Sequence, residues 1–228
     1  IIENFIISSN EKYISKPISQ TLITLSKTVS QILKFRKQRA TSVICHFIKD
    51  PKSLKSKTRL RKELTEKFVN DLNEGLMKIV TDNIKEIKSN KSIHQITVSE
   101  KIHKDYALEF SKKTDGLYLT TQEELGKSMK EVVVFNFKYF QKIVIVGSDI
   151  PFLTAKDITD CLKVRSAKNI FYPTLDGGFC LLATSDSKIL DVLDKIKYGT
   201  DTAVDTIHVT IITGIIQGIS DGLQPRKV

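Results

Sequence analysis

A basic segment, residues 49–61, carries side chains that are suited to binding phosphate. Lys49, Lys57 and Arg59 can neutralise phosphate charge, and the hydroxyl of Thr58 can donate a hydrogen bond to a phosphate oxygen. A basic segment of this kind is more often an ordinary solvated surface. Its meaning therefore depends on which other chemical groups the fold places beside it.

A carboxylate and a pair of glycines follow two other apolar runs. Asp149, directly after Ser148, is placed to hold a divalent cation, Mg²⁺ or Mn²⁺, that bridges a diphosphate, because Mg²⁺ favours one or two carboxylates plus phosphate oxygens. Gly177 and Gly178, after Asp176, would let the backbone approach a ligand closely. Each motif also has a purely structural reading, since Asp-x-Pro is a common turn and Asp-Gly-Gly a common hairpin.

The elements that must position these segments alternate along the chain. Short apolar runs and longer stretches with helical periodicity predict a mixed, mostly parallel sheet of the Rossmann-like α/β class, with helices on both faces. We predict strands over residues 42–48, 93–98, 117–120, 142–147, 169–173 and 179–183. We predict helices over residues 64–87, 101–113, 123–140 and 154–164. Loops at the carboxyl ends of such strands face one crevice, so the phosphate-binding, carboxylate and glycine segments should converge there.

Two of these elements carry more detailed predictions. The strand over residues 142–147 is almost entirely β-branched, which is typical of a central strand that is buried on both faces. The helix over residues 154–164 should begin with Thr154 as its cap and Asp157 in its first turn. The apolar face of the first long helix is expected to comprise Leu64, Phe68, Leu72, Leu76, Ile79 or Val80, Ile84 and Ile87.

The composition limits the classes to which the chain can belong. The 228 residues are 40% hydrophobic, enough for a domain with a buried core, and the longest apolar runs are far shorter than the roughly 20 residues of a membrane-spanning helix. The three cysteines are widely spaced, which favours a reducing, cytoplasmic setting over a disulfide framework. The net charge of +10 favours an anionic partner. Nucleic acid is not expected, because aromatic residues make up only 7% and tryptophan is absent.

Other catalytic arrangements are not indicated by the sequence. Its four histidines, His46, His94, His103 and His208, lack the spacing of metal ligands, so we expect packed or solvated imidazoles. The Walker phosphate loop is absent from the sequence, and no serine–histidine–aspartate arrangement can be identified.

Residues 1–40 differ from the rest and are predicted to form a basic, amphipathic extension before a domain over residues 41–228. Pro17 can open a helix with an apolar stripe from Ile18 to Ile32. That stripe requires a partner. The domain itself or a second copy, and hence a homodimer, is favoured over an organelle-targeting or membrane-surface role.

Taken together, five motifs resemble the DUF2064 family of glycosyltransferase-like proteins. The resemblance covers roughly residues 42 to 205. Its motifs are Phe47-Ile48-Lys49-Asp50-Pro51, Lys57-Thr58-Arg59-Leu60, Val146-Gly147-Ser148-Asp149-Ile150-Pro151, Pro173-Thr174-Leu175-Asp176-Gly177-Gly178-Phe179 and Tyr198-Gly199-Thr200-Asp201-Thr202.

The resemblance implies a GT-A fold and a metal-dependent transferase. Such an enzyme would take a nucleotide sugar or a nucleoside triphosphate and a small-molecule acceptor. By this likeness, Lys57 and Arg59 lie near the nucleotide phosphates and Asp149 holds the metal. Asp176 lines the acceptor or sugar pocket, and Gln122 contributes to the nucleotide crevice.

The sequence also departs from the family pattern. Leu54 stands where the family usually has glycine, and Leu175 where it has an acidic residue. The acidic ending of the family is reduced to a segment around Asp221, which is the candidate for a second metal ligand. Three activities therefore remain open: glycosyl transfer, nucleotidylyl transfer of the guanylyltransferase type, and nucleotide binding by a catalytically impaired homologue.

Overall fold

The fold is described here from a computed structural model, which covers residues 40–54, 56–87, 92–98, 104–111, 114–120, 122, 124–165, 169–174, 178–193 and 196. Its strands are β1 (Ser42–Phe47), β2 (Ser92–Val98), β3 (Gly116–Leu119), β4 (Lys142–Val146), β5 (Asn169–Pro173) and β6 (Phe179–Thr184). Its α-helices are α1 (Glu66–Lys85), α2 (Lys104–Ser111), α3 (Leu125–Asn136), α4 (Ala155–Lys163) and α5 (Leu190–Leu193). Short 3₁₀ turns occur at Leu60–Lys62 and Ser187–Ile189. The predicted strands and helices are confirmed, with ends that differ by a few residues.

The six strands form one mixed sheet in the order β3-β2-β1-β4-β6-β5. β1 pairs in parallel with β2 and with β4, and β2 pairs in parallel with β3. β6 runs antiparallel to both of its neighbours, β4 and β5. The predicted mixed, mostly parallel sheet is therefore confirmed. β4 has four buried residues in five, as expected of a central strand.

Local sequence accounts for the start of α4. The hydroxyl of Thr154 accepts a hydrogen bond from the Asp157 backbone N–H at 3.2 Å, and the Asp157 carboxylate accepts one from the Thr154 N–H at 2.9 Å. This reciprocal capping box satisfies two N–H groups that the first helical turn would otherwise leave unpaired. The predicted roles of both residues are confirmed.

Helices cover both faces of the sheet and bury its apolar side chains. On one face, Ile44 and Val144 pack with Val80 of α1 and Ile158 of α4. On the other face, the core cluster joins strand residues to helices α3 and α5. The strands contribute Val43, Cys45, Ile143, Ile145 and Leu182, and the helices contribute Met129, Val132, Val133, Val192 and Leu193. Alternate residues of β1 and β4 point to opposite faces, so each strand contributes apolar side chains to both faces of the sheet.

The predicted apolar face of α1 is partly wrong. Its buried side chains are Val69, Asn73, Met77, Val80, Thr81 and Ile84. Leu64, which precedes the helix, and Phe68 and Ile79 within it are exposed. The first turns of α1 lie against a polar loop rather than the apolar sheet, so the inward side of the helix carries asparagines. Hydrophobic periodicity therefore identified Val80 and Ile84 correctly, but it assigned Leu64 and Phe68 wrongly to the buried face.

Two buried histidines stack beside α1 within the sheet. The imidazoles of His46 in β1 and His94 in β2 have centroids 5.6 Å apart and planes inclined by 25°. Both nitrogens of His46 and Nε2 of His94 are buried without a hydrogen-bond partner among the described residues. Burial lowers the pKa of His46 well below its usual value, and His94 adds to that shift. Burial likewise lowers the pKa of His94 to about 4, with a smaller contribution from Lys85. The expectation of packed imidazoles is confirmed for these two.

Several predictions concern parts of the chain that lie outside the described residues. They include the amphipathic segment before Ala40, a helical patch from about Thr200 and the apolar stretch from Val209 to Ile216. In the described part of the chain, no helix has the length and apolar character needed to cross a membrane. Cys45, Cys161 and Cys180 are all free thiols.

Candidate functional site

The order in which strands are added to the sheet reverses between β1 and β4. β2 and β3 are added on one side of β1, and β4 then lies on the other side. Loops that leave neighbouring parallel strands at such a switch point diverge and open a crevice at the carboxyl end, where ligands commonly bind in open α/β sheets. The basic loop follows β1 and the Ser148-Asp149 loop follows β4, so the topology brings both to this point.

Lys57 and Asp149 are in direct contact. The Lys57 ammonium donates a hydrogen bond to Oδ2 of Asp149 at 2.5 Å, although the two residues are 92 positions apart. The side chains are 24% and 50% exposed, respectively, so a ligand can reach the pair from solvent. Ion pairs this exposed contribute at most about 1 kcal/mol to stability. The contact therefore matters chiefly as a place where opposite charges meet at the crevice.

The basic loop is held in place by Arg61. The guanidinium donates through Nε to the carbonyl oxygen of Ser56 at 2.8 Å, and through Nη2 to the carbonyl oxygen of Pro51 at 2.9 Å. Nη2 also lies 2.7 Å from Oδ1 of Asn70 in α1. Asn73 donates to the buried Ser56 hydroxyl at 2.8 Å. Arg61 thus binds the protein's own loop, a role that the sequence analysis missed.

Helix α1 anchors the second loop as well. The side-chain amide of Asn83 donates to the carbonyl oxygen of Leu153 at 2.6 Å, beyond the end of β4. Asn70, Asn73 and Asn83 therefore connect one helix to both loops of the crevice. Asparagine has low helix propensity, because its side chain competes for backbone hydrogen bonds. Three asparagines within one long helix were the signal in the sequence that could have indicated these anchors.

Lys57 has an unusual backbone conformation. Its φ of 51° lies in the left-handed region, and among the described residues no other non-glycine residue has a positive φ. Such outliers cost about 1–3 kcal/mol and concentrate at functional sites. Leu54, where the family pattern has glycine, has no positive φ and is 69% exposed. The strained position of the loop is thus Lys57, and Leu54 requires none of glycine's conformational freedom.

Gly147 gives the Asp149 loop room to turn. A Cβ atom at Gly147 would lie 3.2 Å from Cδ1 of Ile150 and 3.4 Å from Oδ1 of Asp149. The first distance is shorter than an ordinary carbon–carbon contact. A side chain at Gly147 would therefore crowd the side chain of Ile150 and would also come into contact with the carboxylate of the candidate site.

We expect Gly147→Ala to weaken ligand binding at Asp149 several-fold while lowering the free energy of unfolding by only about 1 kcal/mol, because the flexible end of Ile150 can yield. Gly75→Ala in α1 is the matched control, since its Cβ would meet nothing within 4 Å. The control should gain roughly 0.5–1 kcal/mol from helix propensity and leave binding unchanged. Denaturant unfolding and nucleotide titration of both variants measure these effects. Equal binding by the two variants would contradict the role of Gly147.

The start of β6 lies beside the end of β4, at the same edge of the sheet. Thr174 donates its N–H to the carbonyl oxygen of Gly178 at 2.9 Å, and Gly147 donates its N–H to that of Cys180 at 3.4 Å. Burial raises the pKa of the Cys180 thiol to about 11, and the negative charges of Asp157 and Asp149 add to the shift. Cys180 therefore remains protonated at neutral pH, which argues against thiolate chemistry at this site.

The remaining predicted site residues fall into three groups. Lys49, Thr58 and Arg59 lie exposed on the loop after β1, and Ser148 is half-buried after β4. Gln122 follows β3, two strand spacings or roughly 10 Å from β1, and its N–H donates to the Thr120 hydroxyl at 2.9 Å. Gly178 lies in the β5–β6 turn, whereas Asp176, Gly177 and Asp221 are outside the described residues.

Asp149 suits a divalent cation only if a ligand completes the coordination. The described residues include no group of three or more histidine, cysteine, aspartate or glutamate side chains that could enclose a metal ion. Mg²⁺ commonly takes one or two carboxylates and fills its other positions with substrate phosphates and water. The half-exposed carboxylate of Asp149 fits that pattern. Binding of Mg²⁺ or Mn²⁺ at Asp149 thus stays a prediction. The metal ion would be coordinated by the carboxylate and by the oxygens of a diphosphate together.

The sheet order and the helices define the class of fold, which is GT-A-like. A solved structure from Desulfovibrio desulfuricans, provisionally named a nucleotide-diphospho-sugar transferase, is similar with a TM-score of 0.68 and 21% identity, over 78% of each chain. A 4-diphosphocytidyl-2C-methyl-D-erythritol synthase from Anaerococcus prevotii has a TM-score of 0.45 and 12% identity, over 76% of this chain and 84% of its own.

The family follows from the sequence itself. Residues 83–200, slightly more than half of the chain, match DUF2064, described as an uncharacterized protein conserved in bacteria. The chain belongs to the DUF2064 family, as the motifs had indicated. No curated protein matches the chain. The matched region includes Asp149 and begins after Lys57, so the structural contact between these two residues links the basic loop to the family region.

Proposed function

We propose that this protein is a metal-dependent transferase that uses a nucleotide-activated donor, and that the group transferred is a glycosyl group. The observation that carries the proposal is the contact between Lys57 and Asp149 at the switch point of a GT-A-like sheet. The contact places the Lys57 ammonium, which can bind phosphate, beside the Asp149 carboxylate, which can bind a metal ion. Both lie at the edge of the sheet where α/β proteins commonly bind ligands.

The chemistry that these residues can perform is electrostatic. When a glycosyl donor reacts, the bond between the sugar and the diphosphate breaks and negative charge accumulates on the departing nucleoside diphosphate. Lys57 and the exposed Arg59 can neutralise that charge, with Arg59 presenting a planar fork to phosphate oxygens. A divalent cation, when bound at Asp149, supplies additional stabilisation of the same charge.

The rigid support of the two loops contributes to this function. Electrostatic stabilisation is effective when charged groups are already aimed at the place where charge develops. Arg61 and Asn73 hold the loop that carries Lys57, and Asn83 holds the loop beyond Asp149. The protein thus positions both charged groups before a donor binds, and only their side chains need to rearrange.

The test is calorimetric titration with UDP- and GDP-linked ligands, with and without Mg²⁺ or Mn²⁺. Asp149→Asn keeps the shape of the side chain and removes its charge. It should abolish the metal-dependent part of binding, a loss of at least about tenfold, or 1.4 kcal/mol. Asp160→Asn is the matched control, because Asp160 is paired with Lys156 on the exposed face of α4. It should bind like the unaltered protein.

Unchanged metal-dependent binding by Asp149→Asn would contradict the proposal. The products then distinguish the class of transfer. Glycosyl transfer releases a nucleoside diphosphate, whereas nucleotidylyl transfer from a nucleoside triphosphate releases inorganic diphosphate. Binding without either product, across a panel of donors and acceptors, would identify a nucleotide-binding homologue that has lost turnover.

A further inference from the structure

We propose that Lys57 and a divalent cation compete for Asp149, and that the diphosphate of the nucleotide resolves the competition by drawing the lysine away. Free metal would then bind poorly, and metal and nucleotide would enter the site together. This inference rests on the proposed function and adds to it an order of binding that follows from the protein's own contacts.

The first support is the arrangement of charges. Asp149 makes one described polar contact through its side chain, and that contact is with the Lys57 ammonium at 2.5 Å. The lysine thus occupies the carboxylate in the absence of ligand, as an internal counter-cation. A divalent metal on the same carboxylate would lie close to the ammonium, and like charges so near each other repel strongly.

The second support is the way the lysine is held. The backbone of Lys57 has a φ of 51°, and its carbonyl oxygen accepts a hydrogen bond from the Arg61 N–H at 3.2 Å. The preceding residue, Ser56, is bound by both Arg61 and Asn73. The backbone is therefore anchored in a strained conformation that directs this side chain toward Asp149. The part that can move is the flexible side-chain stem, which can carry the ammonium to a nearby phosphate.

The third support is the incomplete set of metal ligands. Among the described residues, the site has one carboxylate and no larger acidic cluster, so those residues alone give a metal few oxygen ligands. A diphosphate supplies the missing oxygens and also offers a second negative group for Lys57. The diphosphate therefore strengthens binding of the metal ion and draws Lys57 away from Asp149. Binding of the metal ion and binding of the nucleotide are coupled in this way.

The competition predicts effects of opposite sign from one substitution. Lys57→Met keeps most of the side-chain length and removes the charge. It should strengthen binding of Mn²⁺ alone roughly tenfold and weaken binding of UDP or GDP in the presence of Mn²⁺ roughly tenfold. A lysine that only contacted phosphate would leave Mn²⁺ binding unchanged, and one that only supported the fold would weaken both.

The experiment measures free Mn²⁺ by electron paramagnetic resonance in titrations of the full chain, first without nucleotide and then with UDP or GDP. Lys52→Met is the matched control, since Lys52 is an exposed lysine of the same loop, and it should leave Mn²⁺ binding unchanged. Lys57→Gly is a second variant, because glycine adopts a positive φ without strain and also lacks the ammonium. Thermal unfolding confirms that each variant is folded.

Stronger Mn²⁺ binding by Lys57→Met and Lys57→Gly supports the inference. Unchanged, weaker or undetectable Mn²⁺ binding by both variants overturns it. The proposed function is tested separately by Asp149→Asn. If that variant loses metal-dependent nucleotide binding while the Lys57 variants fail to gain Mn²⁺ affinity, the competition is wrong and the function stands. If Asp149→Asn loses nothing, the proposed function fails.

Discussion

Acidification from pH 7 to pH 4 is expected to lower the free energy of unfolding by several kcal/mol, because His46 and His94 are buried as neutral imidazoles. Both pKa values are lowered in the folded protein, that of His94 to about 4. The unfolded chain, with histidine pKa values near 6.5, therefore binds more protons, and stability falls as the pH drops below that value. Each histidine contributes up to about 1.4 kcal/mol per pH unit. For His94 the loss levels off near its folded pKa.

The double variant His46→Leu/His94→Leu tests the origin of this pH dependence. It removes the buried ring nitrogens that lack partners, so it should flatten the stability profile between pH 6.5 and 4 and leave stability at pH 7 equal or higher. Asp82→Asn is the control. The hydrogen bond from Lys78 lowers the pKa of Asp82 from its usual 3.8. Protonation of this carboxylate therefore affects stability only at a lower pH than protonation of the histidines. Urea unfolding at several pH values measures each profile. A slope in the double variant equal to that of the unaltered protein would assign the effect to other groups.

Arg61→Ala is expected to have the largest combined effect on stability and ligand binding. The substitution leaves the carbonyl oxygens of Pro51 and Ser56 and the Asn70 amide oxygen without the guanidinium that binds them. Each buried acceptor left unpaired costs about 1–3 kcal/mol, so we expect a loss of roughly 2–4 kcal/mol after relaxation. Nucleotide affinity should fall at least tenfold, because the loop that positions Lys57 loses its anchor.

The anchoring role of Arg61 can be separated from its charge. Arg61→Lys keeps the charge but lacks the planar fork that reaches two carbonyls at once, so it should restore only part of the stability. Lys62→Ala removes a neighbouring, exposed positive charge and should change stability by less than about 0.5 kcal/mol. Chemical unfolding and nucleotide titration compare the three variants. If Arg61→Ala lowered stability no more than Lys62→Ala, the loop would have to be held by other contacts.

Local sequence was sufficient to predict most of the secondary structure. The β-branched run of β4 and the capping box of Thr154 and Asp157 express preferences that depend on neighbouring residues alone. The face of α1 could not be predicted in the same way. Phe68 is exposed and Asn73 buried, because that part of the helix lies against a polar loop whose position is set by residues outside the helix.

The general position of the candidate site also followed from the sequence. Alternating strands and helices place the loops after β1 and β4 at one edge of the sheet, so the meeting of the basic loop and Asp149 was predictable. The partner of each basic residue was not. Lys57 reaches Asp149, whereas Arg61 turns inward to backbone carbonyls that come together only when the loop folds.

From its order of residues alone, this chain specified an α/β sheet, the DUF2064 family and the edge at which charged loops would gather, because these depend on hydrophobic periodicity and on motifs within short segments. Only the tertiary structure decided that Lys57 holds Asp149, that α1 anchors both loops and that His46 stacks on His94. The physical reason is that such contacts join residues far apart in the chain, and their geometry exists only once strands and helices have packed.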